Sequence, residues 1–128
     1  MPLVHIHLRK GKPREHVRAI ADGVHRALGE TFGVPADDRF QFVHQYEPDE
    51  AIVDPHYFGI ERGGDAVFIE IVASDWRDTA AKKALFARIA ALLAERPGLR
   101  PEDVQIVLAP NKREDWSFGL GRASYVTD

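Results

Sequence analysis

The residues with the most chemical reach sit in the opening stretch, MPLVHIHL. Methionine is readily trimmed when a small residue such as proline follows it, and trimming here would turn Pro2 into a secondary amine. An ordinary α-amino group titrates at about 7.7 to 8.0. Burial in an apolar pocket beside a cation disfavours the charged form, so such an amine can act as a general base near neutral pH, or as a general acid once protonated. If Met1 stays, the Pro2 nitrogen is an amide with no basicity. The competing reading of Pro2 is a proline tolerated at the first residue of a strand for hydrogen-bonding reasons alone. His5 and His7 stand two residues apart on one strand face and offer two nitrogens to a metal. No third ligand follows at a recognisable spacing, so no metal site is expected and the two are read as histidines at a subunit interface. His44 alternates with Phe42 and Tyr46 and reads as packed. Asp37 and Asp38, placed just after Pro35 and just before a strand, read as turn residues.

Composition narrows the partners. The chain has 128 residues, 17 basic against 20 acidic, a net charge of -3 and no block of either sign, so the electrostatic footprint of a nucleic-acid binder is missing. There is no cysteine, which removes disulfides, thiolate nucleophiles and cysteine metal sites and fits a reducing compartment. Cytoplasm is the expectation. The apolar run from Leu3 to Leu8 is followed by Arg9, Lys10 and Lys12, the wrong order for a signal peptide and too short a run for a membrane span.

The elements that would position these groups are legible as periodicity. PLVHIHL alternates, with Val4, Ile6 and Leu8 on one face and Leu3, His5 and His7 on the other, which predicts a strand. Pro13 suits the first turn of a helix in which Val17, Ile20, Val24 and Leu28 recur until Gly33. RFQFVHQY predicts the second strand. Residues 47–65, with two prolines and three glycines, predict a long excursion containing a small hairpin. AVFIEIVA, residues 66–73, predicts a third strand. The next segment, TAAKKALFARIAALLAERPG, predicts a helix with Leu85, Phe86, Ile89, Leu92 and Leu93 inward and Lys82, Lys83 and Arg88 outward. VQIVLA, residues 104–109, predicts a fourth strand.

GVPADDRFQFV follows the first helix and GLRPEDVQIVL follows the second, about 65 residues later, an internal duplication. One domain over 1–128 is expected, built of two β-α-β halves at about 2–46 and 66–109 with a tail at 110–128. The fold class is α/β (α+β): a four-stranded, mainly parallel-paired sheet with both helices on one face. Its other face carries apolar residues and needs cover, which another subunit would provide.

The Met-Pro start, the duplicated halves, the segment FGVPADDRFQFVHQ and the tail segment EDWSFGLGRA together resemble the tautomerase superfamily and, within it, the malonate semialdehyde decarboxylase-like branch. The resemblance covers almost the whole chain and implies a homotrimer in which neighbouring subunits complete each pocket. It implies Pro2 as the catalytic base or acid. It implies Asp38, with Asp37 as neighbour and rival, as the carboxylate that activates water or sets the proton affinity of the proline. Arg77 is implied to hold a substrate carboxylate, a task suited to a planar bidentate donor. Its alternative is a solvated residue at the start of the second helix. Trp116 and Phe118 are implied to wall the pocket with apolar surface, and their alternative is to pin the C-terminal segment against a neighbouring subunit.

The chain reads ASDWRDT around Arg77, with Ser74, Asp75 and Trp76 where carboxylate-handling relatives tend to carry a further arginine. That departure favours cofactor-independent keto-enol tautomerisation of a small 2-oxo acid over decarboxylation or water addition on a three-carbon acid. A non-catalytic trimeric module is the third reading.

Overall fold

A computed structural model describes residues 1–126 of the chain; the last two residues of the expected tail lie outside the described residues. Four strands and two α-helices follow the expected order: β1 (Pro2–Arg9), α1 (Arg14–Phe32), β2 (Gln41–Tyr46), β3 (Val67–Ser74), α2 (Thr79–Glu95) and β4 (Val104–Asn111). The sheet order is β2-β1-β3-β4. β1 pairs with β2 in parallel and β3 with β4 in parallel, while the central pair β1 and β3 is antiparallel, so the sheet is mixed.

The duplication extends to register. Val4 lies opposite Gln41 in the first unit and Ile69 opposite Ile106 in the second, a displacement of about 65 residues in both strands. The helices obey the same displacement: Ile20, Val24, Ala27 and Leu28 are buried in α1, and Leu85, Ile89, Leu92 and Leu93 in α2. These side chains meet Val4, Ile6 and Leu8 from β1 and Val67, Ile69 and Ile71 from β3 to form the core. Alternation explains the choice, because only every second strand residue faces the helices. The helices approach closely at Gly23, where an added Cβ would lie 2.8 Å from Leu93 Cδ2. Arg88, expected outward, reaches across to Glu30 and ties α2 to α1.

Two expectations are corrected. Phe86 is 37% exposed and stands outside the core, because one residue past Leu85 turns the side chain about 100° round the helix, over the edge strand β4. Residues 47–65 contain two short 3-10 turns, Pro48–Glu50 and Tyr57–Gly59, in place of a hairpin. Backbone-directed bonds organise the segment instead: Arg9 Nη2 donates to the Ala51 carbonyl at 2.8 Å, and Arg62 Nη1 donates to the carbonyls of Tyr57 and Ile60 at 3.0 and 3.2 Å.

The face of the sheet away from the helices is uncovered. Phe42 is 56% exposed there, Phe68 37% and Val107 41%. His5, His7 and His44 stack among them. His5 Nδ1 and His44 Nε2 share a hydrogen bond of 2.8 Å, and His7 Nδ1 is 2.7 Å from the Tyr46 hydroxyl.

Candidate active site at the start of the first strand

β1 opens inside the sheet. Pro2 is buried and lies opposite Ala73, itself opposite Pro110, so the chain start sits where the ends of β3 and β4 converge. The loop that follows α1 delivers Asp38 to this point. α1 stops at Gly33, in the left-handed conformation at φ 68°, and the Asp38 N–H then closes a turn by donating to the Pro35 carbonyl at 3.0 Å. The turn directs Asp37 to solvent and Asp38 inward. Asp38 Oδ2 is 4.0 Å from the Met1 amine, while Asp38 Oδ1 is buried without a hydrogen-bond partner among the described residues.

The second unit shows what such an aspartate does when it is purely structural. Asp103 closes the matching turn on Arg100, and its Oδ1 accepts from the Gly63 N–H at 2.7 Å and from Arg100 Nη2 at 3.2 Å. Its Oδ2 accepts from Arg100 Nε at 3.1 Å. The orphaned oxygen of Asp38 is therefore a departure from the fold's own repeat. A buried carboxylate oxygen without a partner is costly, and a catalytic role is one reason a fold keeps such a group.

Arg77 sits at the end of β3 and is folded back. Its Nε and Nη2 donate to the Phe32 carbonyl at 3.3 and 3.0 Å, and its guanidinium lies between the rings of Phe32 and Trp76 at 4.3 and 4.0 Å. It is thus a half-buried charge anchored to the end of α1, and the reading of a solvated helix-start residue falls. The carboxylate of Asp78 accepts from the Ala81 N–H and caps α2 in its place.

These charges act on the chain start together. Burial holds the Met1 amine below the ordinary α-amino value; Asp38 opposes that shift, and the positive charges of Arg77 and Arg113 reinforce it. Burial likewise lowers the Arg77 pKa.

Beside this point lies a cleft of about 700 Å³ lined by Ser74, Trp76, Asn111, Arg113 and Tyr125 among others. Trp116 and Phe118 stand behind it within one protomer. Trp116 Nε1 donates to Asn111 Oδ1 at 2.9 Å, the Trp116 and Phe118 rings stack at 5.6 Å, and Phe118 meets Tyr125 edge-on at 5.2 Å. The structure thus brings Asp38, Arg77 and the chain start to one end of the sheet, and sets Trp116 and Phe118 one layer out, supporting Asn111 and Tyr125. Sequence reasoning missed Arg113 and Tyr125. Their stacking at 4.1 Å joins residues twelve positions apart through an irregular tail, which no periodicity announces. Among the described residues no group of three or more His, Asp or Glu is placed to hold a metal ion, and no helix is long and apolar enough to cross a membrane.

Comparisons with known proteins find relatives along nearly the whole chain. A family described as tautomerase enzyme matches residues 38–119, and a second family of the same description matches residues 2–60. The chain is 41% identical over 126 residues to the probable tautomerase YusQ of Bacillus subtilis (strain 168), covering 98% of this chain and 99% of that protein. It is 38% identical to the FG41 malonate semialdehyde decarboxylase, solved inhibited by 3-bromopropiolate, with a TM-score of 0.89 over 96% of this chain and 93% of that one. A fused 4-OT solved as a symmetric trimer shares the fold at 20% identity, with a TM-score of 0.77 over 94% of each chain.

Proposed function

This chain belongs to the tautomerase family, and we propose that it catalyses keto-enol tautomerisation of a small 2-oxo acid or related enol, with Pro2 as the proton-transferring group once Met1 is removed. The observation that carries this reading is the orphaned Asp38 carboxylate oxygen held against the chain start, in a fold whose repeat satisfies the equivalent Asp103.

In the proposed reaction the neutral Pro2 nitrogen takes a proton from one end of the keto-enol system and returns it to the other, so no atom is lost and no cofactor is required. Removing Met1 moves the terminal amine one residue further into the sheet. The burial and the arginine charges that depress the Met1 amine favour a neutral Pro2 in the same way. Asp38 offsets part of that shift and keeps the protonated amine accessible during turnover. Arg77 supplies positive charge toward the substrate carboxylate, and Trp116 and Phe118 support the apolar wall from behind. Pro2 is mounted on a strand buried in the sheet, which fixes its nitrogen as a pre-organised base must be fixed.

The working form is a cytoplasmic homotrimer of single-domain subunits in this proposal. The uncovered aromatic sheet face and the symmetric trimer of the fused 4-OT support it.

A second reading, decarboxylation or water addition on a three-carbon acid with Pro2 protonated and Asp38 managing water, is favoured by the likeness to two malonate semialdehyde decarboxylase structures at 38% and 32% identity. Titration of the Pro2 amine separates the two: a pKa below neutrality supports the base, one above it the acid.

The test combines intact mass with turnover of phenylenolpyruvate by the wild type and by Pro2→Ala. Protein lacking Met1, with turnover reduced on the order of a hundredfold or more in the variant, is expected. Full activity in Pro2→Ala overturns the assignment.

A further inference from the structure

The two arginines near the chain start are not in equivalent chemical states. Arg77 has its side-on fork, Nε–H with Nη2–H, closed by the Phe32 carbonyl, and its guanidinium packs on the Phe32 and Trp76 rings, 4.3 and 4.0 Å from their centres. Its Nη1 is buried without a partner. Arg77 is therefore a fixed charge with little freedom to meet a planar ligand. Arg113 is different. Its guanidinium lies on the Tyr125 ring at 4.1 Å, lines the cleft of about 700 Å³, and has no hydrogen-bond or ion-pair partner among the described residues.

Stacking on an aromatic face covers one side of the guanidinium plane and leaves every N–H at its edge open, so the group is oriented and still available to a bidentate acceptor. The tail keeps it there. Trp116 Nε1 bonds Asn111, the Ser124 N–H donates to the Trp116 carbonyl at 3.2 Å, and Phe118 packs edge-on against Tyr125. Two carboxylates line the same cleft: Asp75 is matched by Lys82 at 3.2 Å, and Glu114, next to Arg113 in the chain, makes no ion pair with it or with any other described residue, so Arg113 keeps its N–H groups for a ligand.

We propose that Arg113, held by Tyr125, is the bidentate carboxylate clamp of this site, while Arg77, outside the lining of that cleft, contributes a fixed charge. The inference rests on the reading of the chain start as the reacting centre and sharpens its substrate class: a compact α-oxo carboxylate or its enol, with the carboxylate toward the tail and the reacting carbon toward Pro2. Arg113 is near enough for its charge to help lower the pKa of the terminal amine, so a ligand held by it lies close to the chain start.

The test uses the full chain as purified and two readouts. Oxalate, a planar carboxylate probe that needs no turnover, is titrated calorimetrically into the wild type, Arg113→Gln and Arg113→Lys. Binding by the wild type and affinity weaker by on the order of tenfold to a hundredfold in Arg113→Gln are expected, with Arg113→Lys still about tenfold weak because lysine restores the charge and not the fork. In steady-state turnover of phenylenolpyruvate, at a pH above the acidic limb of both proteins so that the loss of the Arg113 charge does not change the protonation of the amine, Arg113→Gln should raise KM by a similar factor with kcat within about twofold of the wild type. No oxalate binding by the wild type, unchanged affinity in Arg113→Gln, full recovery in Arg113→Lys, or a loss confined to kcat each overturns the clamp. If Pro2→Ala turns the enol over normally while the oxalate pattern holds, the base assignment fails and the clamp stands.

Discussion

Asp38 and Asp103 occupy the same position in the two β-α-β units, yet only Asp103 has both carboxylate oxygens hydrogen-bonded. Each closes a turn onto the residue three before it, at 3.0 and 2.9 Å. Asp103 is bonded by the loop that leads into β3. At the matching place in the first unit, Asp38 faces the residue that precedes β1.

Replacing Asp38 by Asn removes the negative charge that stabilises the protonated amine. The amine pKa should fall further, so the acidic limb of the kcat/KM profile should move to lower pH while turnover drops, by about tenfold or more. An unmoved limb, followed by enol absorbance across pH, would show that Asp38 does not face the working amine.

Arg77→Gln acts in the opposite sense. Loss of a positive charge raises the amine pKa and moves the same limb to higher pH. The variant also leaves the Phe32 carbonyl without its two side-chain donors, so urea unfolding should report a loss of about 1–3 kcal/mol.

Asp103→Ala is expected to destabilise by about 1–3 kcal/mol through the unpaired Gly63 N–H, with kcat unchanged in the fraction that remains folded. Burial works against ionised Asp103, but its bonds to Arg100 and Gly63 outweigh that and hold its pKa below the usual carboxylate range. A depressed folded pKa means the stability contributed by Asp103 is present above the unfolded carboxyl range and is lost as pH falls through the folded value. Acid titration of the melting midpoint should therefore flatten in the variant.

A charge on the bare sheet face should disperse the assembly. Phe42→Asp places a carboxylate beside His5, on the face that also carries exposed Phe68 and Val107, and a second subunit would have to desolvate it. Light scattering should show the trimer mass for the wild type and the monomer mass for the variant, with helical circular dichroism retained. A variant that keeps the wild-type mass would mean that this face is not the contact.

Much of the scaffold was legible because period-two and helical spacing are local properties. Val4, Ile6 and Leu8 declare one strand face by alternation, and the Gly33 and Gly98 segments announce a repeat that the register then obeys. Phe86 misled because apolar character places a residue near a helix's inner face without fixing which side of the sheet edge it overhangs. The segment 47–65 misled because its glycines and prolines allow turns of any kind, and Arg9 and Arg62, bonding to backbone carbonyls, decide which ones form. At the site, the Met-Pro start and the acidic pair could be read, and the resemblance already preferred Asp38 to Asp37; what the sequence could not give is the turn that sets Asp38 4.0 Å from the Met1 amine and leaves Asp37 exposed. Arg113 stayed hidden because its role depends on Tyr125 returning from further along an irregular tail.

The antiparallel seam between β1 and β3 gives the sheet an approximate two-fold relation, so the openings of the two units point to opposite ends of the molecule. Val67 begins its strand as Pro2 begins the first, but as an interior residue its nitrogen is locked in a peptide bond. Carrying both halves in one polypeptide thus silences one potential amine of every pair. A circular permutant cut just ahead of Val67, with the natural ends joined, would exchange the silent pole for the exposed one and ask whether Asp103 can be recruited once Arg100 is taken away.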